Sequence, residues 1–278
     1  MESLFDFATT AELIGLPVVQ RALLAAAVLG LVAGAIGPLV ITRKMSFAVH
    51  GTSELAFTGG AAALLLGISV SYGAVLGAVV AALLLGLLGQ RDSERDSVIG
   101  AVLAFGLGLG VLFLWLYPGR AANKMGLLVG QPIGIPAGDV QVLVVCAVVV
   151  LVVLALLYRP LLFASVDPDV ALARGVPVRA LSPVFAVLVG ITTALGVQIV
   201  GALLVLSMMI TPAAAAARIT ASPAKATVLA IVFAEVAVLG GIVLSLAPGV
   251  PVSAFVTAIS FAIYVICRIV GKSRVRAV

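Results

Sequence analysis

The stretch VVQRALLAAAVLGLVAGAIGPLVI, residues 18–41, is apolar over the length that a membrane-spanning helix requires. Crossing the hydrocarbon core of a bilayer takes about 20 mostly apolar residues. Comparable stretches recur to the C-terminus with only short interruptions. The chain has 278 residues, 63% apolar and 10% charged, whereas soluble domains contain roughly 25% charged residues. We therefore predict an all-α polytopic membrane protein in which residues 1–278 form a single transmembrane domain.

The apolar stretches predict about nine transmembrane helices. Their approximate bounds are 18–41, 46–68, 71–89, 98–117, 139–158, 180–196, 198–217, 226–246 and 252–269. The sixth and seventh spans nearly touch between Gly196 and Gln198, where one long broken helix is the alternative. Glycine pairs with the spacing that lets membrane helices approach closely predict tight packing; they are Gly30/Gly34, Gly73/Gly77 and Gly106/Gly110.

The positions of lysine and arginine predict the orientation of the chain. One side of the membrane receives Arg43, Lys44, Arg91, Arg95, Arg159, Arg174, Arg179, Arg218, Lys225, Arg268, Lys272, Arg274 and Arg276. Among the connections between spans, the other side receives only Arg120 and Lys124. By the positive-inside rule, the N-terminus is outside and the C-terminus cytoplasmic. This asymmetry explains the net charge of +5 better than a nucleic-acid partner does.

Two connections differ from ordinary loops. An external segment at about residues 120–138 is rich in proline and glycine, which predicts an irregular or re-entrant structure. On the cytoplasmic side, Asp167 can cap a helix that has Pro168 in its first position and Asp169 in its first turn, and Gly175 can end it. Such a helix is too short to span the membrane, and it offers a contact for a partner protein.

Three ionisable residues lie well inside predicted spans: His50, Glu54 and Glu235. A charge in the hydrocarbon costs about 2.5–3.5 kcal/mol even on the lenient insertion scale, so such groups are expected to face a cavity or a partner. His50 and Glu54 are four residues apart and project from one face of a helix. Imidazole and carboxylate together suit zinc, manganese or iron. A pair that satisfies itself and a proton relay are the alternatives.

Other residues could complete the set of metal ligands. Glu235 is a further candidate ligand, and Met208 and Met209 would suit a softer site, although packing is the favoured interpretation of both methionines. The spacing of these residues does not show whether their helices meet the one that carries His50 and Glu54.

The run RKMSFAVHGTSELAFTG, residues 43–59, resembles the permease subunits of bacterial ABC importers for zinc, manganese and iron. In that family the second helix opens with a basic pair and a Met, followed by a pattern of the form G-D-A-x-S-H-A. The residues that fall where the family's residues fall are Arg43, Lys44, Met45, Ser53 and Gly59. The family's metal-binding Asp is replaced by His50 and its His by Glu54, so the donors are exchanged while their spacing is kept.

Residues 167–217 also resemble the family, through its coupling-helix segment D-P-x-x-A-x-x-x-G-V and the later V-x-x-V-G-x-L-L-V and T-P-A-A-A runs. The resemblance covers most of the chain from about Arg43 to Ile269. It implies that the coupling helix, at about residues 167–175, docks on an ATPase. The coupling residues would be Asp167, Pro168, Asp169, Ala171, Arg174 and Gly175.

The resemblance implies a transport subunit in the bacterial plasma membrane that is not itself an enzyme. Gly271, Lys272 and Ser273 mimic the end of a phosphate-binding loop, but Ile266 stands where its leading glycine is required. A cytoplasmic ATP-binding subunit, an extracellular or periplasmic metal-binding protein and a second permease are the implied partners, with no nucleic acid. No cofactor is bound permanently, and the metal ion is cargo. The rival functions are a proton-coupled secondary transporter and an ABC permease for a vitamin or siderophore.

Overall fold

The computed structural model describes residues 7–88, 92–119, 126–130 and 135–275, and every regular element in these ranges is helical. The helices in chain order are α1 (Phe7–Ile14), α2 (Pro17–Thr42), α3 (Ser46–Leu66), α4 (Val70–Leu88), α5 (Asp92–Leu116), α6 (Ala137–Val166), α7 (Pro168–Ala173), α8 (Val178–Ile199), α9 (Val205–Met209), α10 (Thr211–Ile219), α11 (Pro223–Leu246) and α12 (Val252–Val275). A single 3₁₀ turn, Ala202–Leu204, precedes α9. The predicted all-α class is confirmed.

Six helices of the described ranges are long and apolar enough to cross a membrane: α2, α5, α6, α8, α11 and α12. Two shorter apolar helical stretches cover Val70–Leu85 and Val205–Ile219. Helix α3 has 21 residues but is not among the six. It contains His50, Glu54 and several hydroxyl side chains, which lower its apolar character.

The chain reverses direction at Gly201, between α8 and the 3₁₀ turn. Gly201 has a φ of +88°, a conformation that favours glycine. Past this turn, Val205 packs on Gly196, and the Met209 sulfur lies 3.7 Å from the Thr193 hydroxyl, so the returning segment runs alongside α8. The separation predicted at Gly196 to Gln198 therefore falls a few residues later in the chain.

The glycine pairs produce direct backbone packing. A methyl group on Gly77 would lie 2.1 Å from the carbonyl oxygen of Leu55, and one on Gly34 would lie 2.4 Å from the Cα of Ile231. Real side chains do not tolerate such distances, so α4 and α11 reach their neighbours only because these positions lack a Cβ. Helix α3 is surrounded by α4, α5 and α8, and α2 is packed against α6 and α11.

The predicted short helix after Val166 is present as α7. The Asp167 carboxylate accepts a hydrogen bond of 3.0 Å from the Val170 backbone N–H, Pro168 occupies the first turn, and Gly175 ends the segment with a φ of +80°. Ala171 is fully buried, whereas Val170 and Leu172 are about half exposed. Helix α7 thus anchors on the bundle through one small residue and presents apolar side chains outward.

The two ends of the bundle are defined by contacts between distant parts of the chain. At the first, which we call the basic end, Arg43 contacts Ser165 and Gly271 packs on Arg218. At the opposite end, Gly130 packs on Ile199. The predicted irregular segment at 120–138 lies mostly outside the described residues, as do Arg120 and Lys124.

Candidate metal-transport site

Helix α3 carries both candidate ligands, His50 and Glu54, on one face. The chain enters it through a sharp turn in which Lys44 has a φ of +55°, and it leaves through Gly67, which adopts a left-handed conformation. Both ends are therefore sharply defined. Because four residues make little more than one helical turn, the two side chains project in similar directions.

Both side chains have buried polar atoms without a hydrogen-bond partner among the described residues. Glu54 is only 2% exposed, and its Oε2 is one of these atoms. His50 is half-buried, and its Nδ1 is another. Buried polar atoms in folded proteins are nearly always satisfied by protein, water or an ion. An acceptor nitrogen and a carboxylate oxygen in this state can receive a cation or a proton.

The backbone around Glu54 is held by α5. A methyl group on Gly106 would lie 3.2 Å from the carbonyl carbon of Glu54, and the Thr58 hydroxyl contacts the carbonyl oxygens of both Glu54 and Gly106. A larger residue at position 106 would therefore require the backbone of α3 to shift. The position of the Glu54 backbone is set by helix–helix packing.

A second polar contact joins α3 to α8. The Thr52 hydroxyl lies 3.4 Å from the Thr193 hydroxyl, and Thr193 in turn contacts the sulfur of Met209. Met208 and Met209 are both 1% exposed, in agreement with the packing role favoured from the sequence. The two threonines did not emerge from the sequence, because 141 residues separate them.

Glu235 lies on α11, against α2 and away from the His50–Glu54 pair. A methyl group on Gly30 would lie 2.9 Å from the carboxyl carbon of Glu235. In the described part of one chain, no three His, Cys, Asp or Glu side chains are grouped closely enough to hold a metal ion. Glu235 is therefore not grouped with His50 and Glu54 among the described residues.

Arg43 links three elements at the basic end. Its Nε donates a hydrogen bond of 2.8 Å to the Ser165 hydroxyl at the end of α6, and its guanidinium lies 5.0 Å from the centroid of the Phe185 ring on α8, a cation–π distance. The basic pair was visible in the sequence, but the partners of Arg43 were not, since Ser165 is 122 positions away. Arg43 thus joins the entrance of α3 to the segment that leads into α7.

At the opposite end, two polar contacts tie the connection between α3 and α4 to other helices. The Ser69 hydroxyl bonds the carboxylate of Asp139, in the first turn of α6. The Ser71 hydroxyl donates to the Gln198 side chain at 2.8 Å. No motif in the sequence indicates these contacts, because each joins residues far apart in the chain.

Residues 16–271 match the ABC 3 transport family. The chain is 29% identical over 235 residues to the manganese transport system membrane protein MntC of Halalkalibacterium halodurans, covering 84% of this chain and 80% of the relative. It is 27% identical over 225 residues to the high-affinity zinc uptake system membrane protein ZnuB of Haemophilus influenzae, covering 81% and 86%.

A solved structure of PsaBC from Streptococcus pneumoniae in complex with Fab shares the fold. It superposes with a TM-score of 0.84 at 25% identity, covering 94% of each chain. The sequence and structure matches therefore extend over nearly the whole bundle, including α3 and α7. With its apolar spanning helices, the chain is a multi-pass protein of the bacterial plasma membrane, and it belongs to the ABC 3 transport family.

Proposed function

We propose that this chain is the permease subunit of an ATP-driven importer that moves a divalent transition metal ion into the bacterial cell by alternating access. Manganese and zinc are the first candidates for the ion, and iron is a further one. The observation that carries the proposal is the Glu54 carboxylate, which is 2% exposed inside α3 and has an oxygen with no partner among the described residues. His50 supplies a nitrogen donor one turn away. The relatives named for manganese and zinc transport support the same class of cargo.

The donor set suits a transient site. Nitrogen and oxygen ligands of this kind accept several divalent metals, so geometry and availability decide among them. Two protein ligands leave positions open for water and for groups of a partner. A homodimer would bring a second His50–Glu54 pair, provided that α3 of each copy faces the dimer axis. A site with few fixed ligands releases its ion readily, which transport requires.

The proposed orientation follows the distribution of positive residues. Nine spans, an external N-terminus and a cytoplasmic C-terminus place the basic end and α7 in the cytoplasm. The second part of the proposal is that α7 docks on a separate ATP-binding subunit through Val170 and Leu172, whose apolar side chains point outward. A separate extracellular or periplasmic protein would deliver the metal.

The position of Arg43 supports a mechanical link between ATPase and metal site. Movement of α7 would displace Ser165, which lies two residues before the Asp167 cap, and Arg43 would carry this displacement to the start of α3. His50 lies in the first turns of that helix. ATP binding would thereby change the cavity in which the metal is held.

Replacing Asp167 with alanine is expected to lower ATP-dependent uptake several-fold. The change removes the cap of α7, and loss of such a cap costs about 0.5–2 kcal/mol of helix stability. Asp167→Asn, which retains a capping oxygen, should transport nearly as well as wild type. Uptake by the complex in proteoliposomes measures both variants, and wild-type rates in Asp167→Ala would contradict a role for α7 in coupling.

The direct test of the function uses proteoliposomes that contain this chain with its ATPase and metal-binding protein. We expect radioactive manganese or zinc to be taken up only when ATP is supplied on the side of the membrane that carries the ATPase. A proton-coupled secondary transporter is the competing function, because His50 and Glu54 could also relay protons. Uptake that persists without ATP and follows an imposed proton gradient would overturn the proposal in favour of that alternative.

A further inference from the structure

A cavity of about 170 Å³ opens at the basic end, between the ends of α2, α6, α10 and α11. Most of its wall is apolar. The hydroxyl-bearing residues that line it are Thr42, Tyr158, Thr220 and Thr227. The cavity is separate from the candidate metal site, because none of its lining residues belongs to α3.

Part of the cavity wall belongs to helices with much exposed apolar surface, which in a membrane would face lipid. Helices α6 and α11 form two of its walls, and the most apolar stretches of these helices are only 22% and 33% buried in the bundle. Val166, which lines the cavity, is 69% exposed. The two helices meet where the Tyr158 and Thr227 hydroxyls lie 3.2 Å apart, and behind this contact α2 forms the back wall.

Small and proline residues form much of the cavity wall. Pro38 lies inside α2 and lines the cavity, and Pro160 lies inside α6 between the lining residues Tyr158 and Leu162. A proline inside a helix removes one backbone hydrogen bond. Small side chains on the facing elements, Ala213 and Ala217 of α10 among them, leave the space between the helices unfilled.

Most of the charged residues that adjoin the lining residues in the sequence are positive. Arg159, Arg218 and Lys225 are exposed and adjoin residues that line the cavity. Residues 37–44, 155–166 and 211–227, which contain all the lining residues, include no Asp or Glu. The one acidic neighbour, Asp167, follows the lining residue Val166, and its carboxylate accepts a hydrogen bond from the Val170 backbone N–H. A molecule seated here would therefore meet a mostly apolar wall with four hydroxyl-bearing residues, and mostly positive charge on the neighbouring residues.

We propose that this cavity binds one anionic phospholipid from the leaflet at the basic end, with part of an acyl chain between α6 and α11 and the headgroup near Arg218 and Lys225. Basic pockets between transmembrane helices are suited to anionic headgroups. The apolar wall holds the acyl chain, and the Thr220 hydroxyl, which accepts a hydrogen bond from the Ser222 backbone N–H, can donate one to a glycerol ester oxygen. This binding does not depend on the proposed metal transport.

The test compares lipid retention by the purified full-length chain in native mass spectrometry, with phosphatidylglycerol and phosphatidylcholine of identical acyl chains. We expect wild type to retain one phosphatidylglycerol per chain at least several-fold better than phosphatidylcholine. Ala217→Phe, which fills the cavity from its exposed wall, should lose this retention. Ala224→Phe, an exposed alanine on α11 outside the cavity, is the matched control and should retain the lipid.

The headgroup contribution is tested with Arg218→Gln combined with Lys225→Gln. These changes should bring the retention of the two lipids to within about twofold of each other, whereas Arg179→Gln, at an exposed position away from the cavity, should keep the preference. Equal retention of the two lipids by wild type would overturn the proposal. So would unchanged phosphatidylglycerol retention in Ala217→Phe.

Discussion

Replacing Glu54 with glutamine is expected to lower ATP-dependent metal uptake by at least tenfold while the protein remains folded. Mutations of groups that merely support metal ligands commonly cost about 10–100-fold in affinity or activity, so loss of a proposed ligand should cost no less. Glutamine keeps the shape of the side chain, which matters because Gly106 packs directly on the Glu54 backbone. The measurement is the initial rate of manganese and zinc uptake in proteoliposomes.

Glu235→Gln is the matched control for this experiment. It removes a carboxylate from another span, one that lies against Gly30 and apart from the pair on α3. We expect the control to keep uptake within about threefold of wild type, a loss of at most roughly 0.7 kcal/mol. Equal losses in both variants would indicate a general requirement for intramembrane carboxylates, and unimpaired uptake in Glu54→Gln would remove this residue from the transport path.

His50→Ala separates the metal and proton interpretations of the same pair. If the pair binds metal, adding excess metal should partly restore uptake, because a weakened site fills at higher concentration. If the pair only relays protons, the substrate concentration at half-maximal uptake should not change and only the maximal rate should fall. The concentration dependence of uptake in His50→Ala and wild type distinguishes the two outcomes.

Replacing Gly77 with alanine should destabilise the bundle by forcing two of its central helices apart. The new methyl group would lie 2.1 Å from the Leu55 carbonyl oxygen, so α3 and α4 must separate. Overpacking of this kind costs about 1–3 kcal/mol or more. This loss of stability should lower the midpoint of thermal unfolding in detergent, measured by fluorescence-detected size-exclusion chromatography.

Gly108→Ala provides the comparison, because a methyl group at Gly108 of α5 would meet no atom within 4 Å. Both glycines lie inside apolar helices, so the two variants differ chiefly in what the methyl group contacts. Gly108→Ala should unfold at or slightly above the wild-type temperature, since alanine favours the helix. Similar unfolding temperatures for the two variants would contradict close backbone packing between α3 and α4.

The sequence predicted those features that depend on local chemistry. The cap at Asp167 and the stop at Gly175 lie within one short segment, and the structure contains the helix they predict. The glycine spacings indicated close packing because a missing Cβ matters wherever two helices meet. The boundary predicted between Gly196 and Gln198 lies a few residues too early, since apolar residues continue through the turn at Gly201 and hydropathy alone does not mark a reversal.

Contacts between distant segments were beyond prediction from the sequence. Arg43, in the turn after α2, and Ser165, on α6, are ordinary residues, and the packing of α2 against α6 makes them partners. The packing of α11 against α2 places Glu235 beside Gly30 and apart from the pair on α3, although all three residues are ionisable and lie within predicted spans.

By itself, the sequence determined that this protein is a helical membrane bundle with a polar pair on one face of α3 and a capped short helix after Val166. Periodicity and capping act within a few residues, so their outcome can be read along the chain. The tertiary structure alone decided which backbone supports Glu54, what Arg43 holds, where Glu235 lies and where a cavity remains. Those outcomes depend on how the helices approach one another, and glycines whose partners lie far away in the chain allow the close approaches.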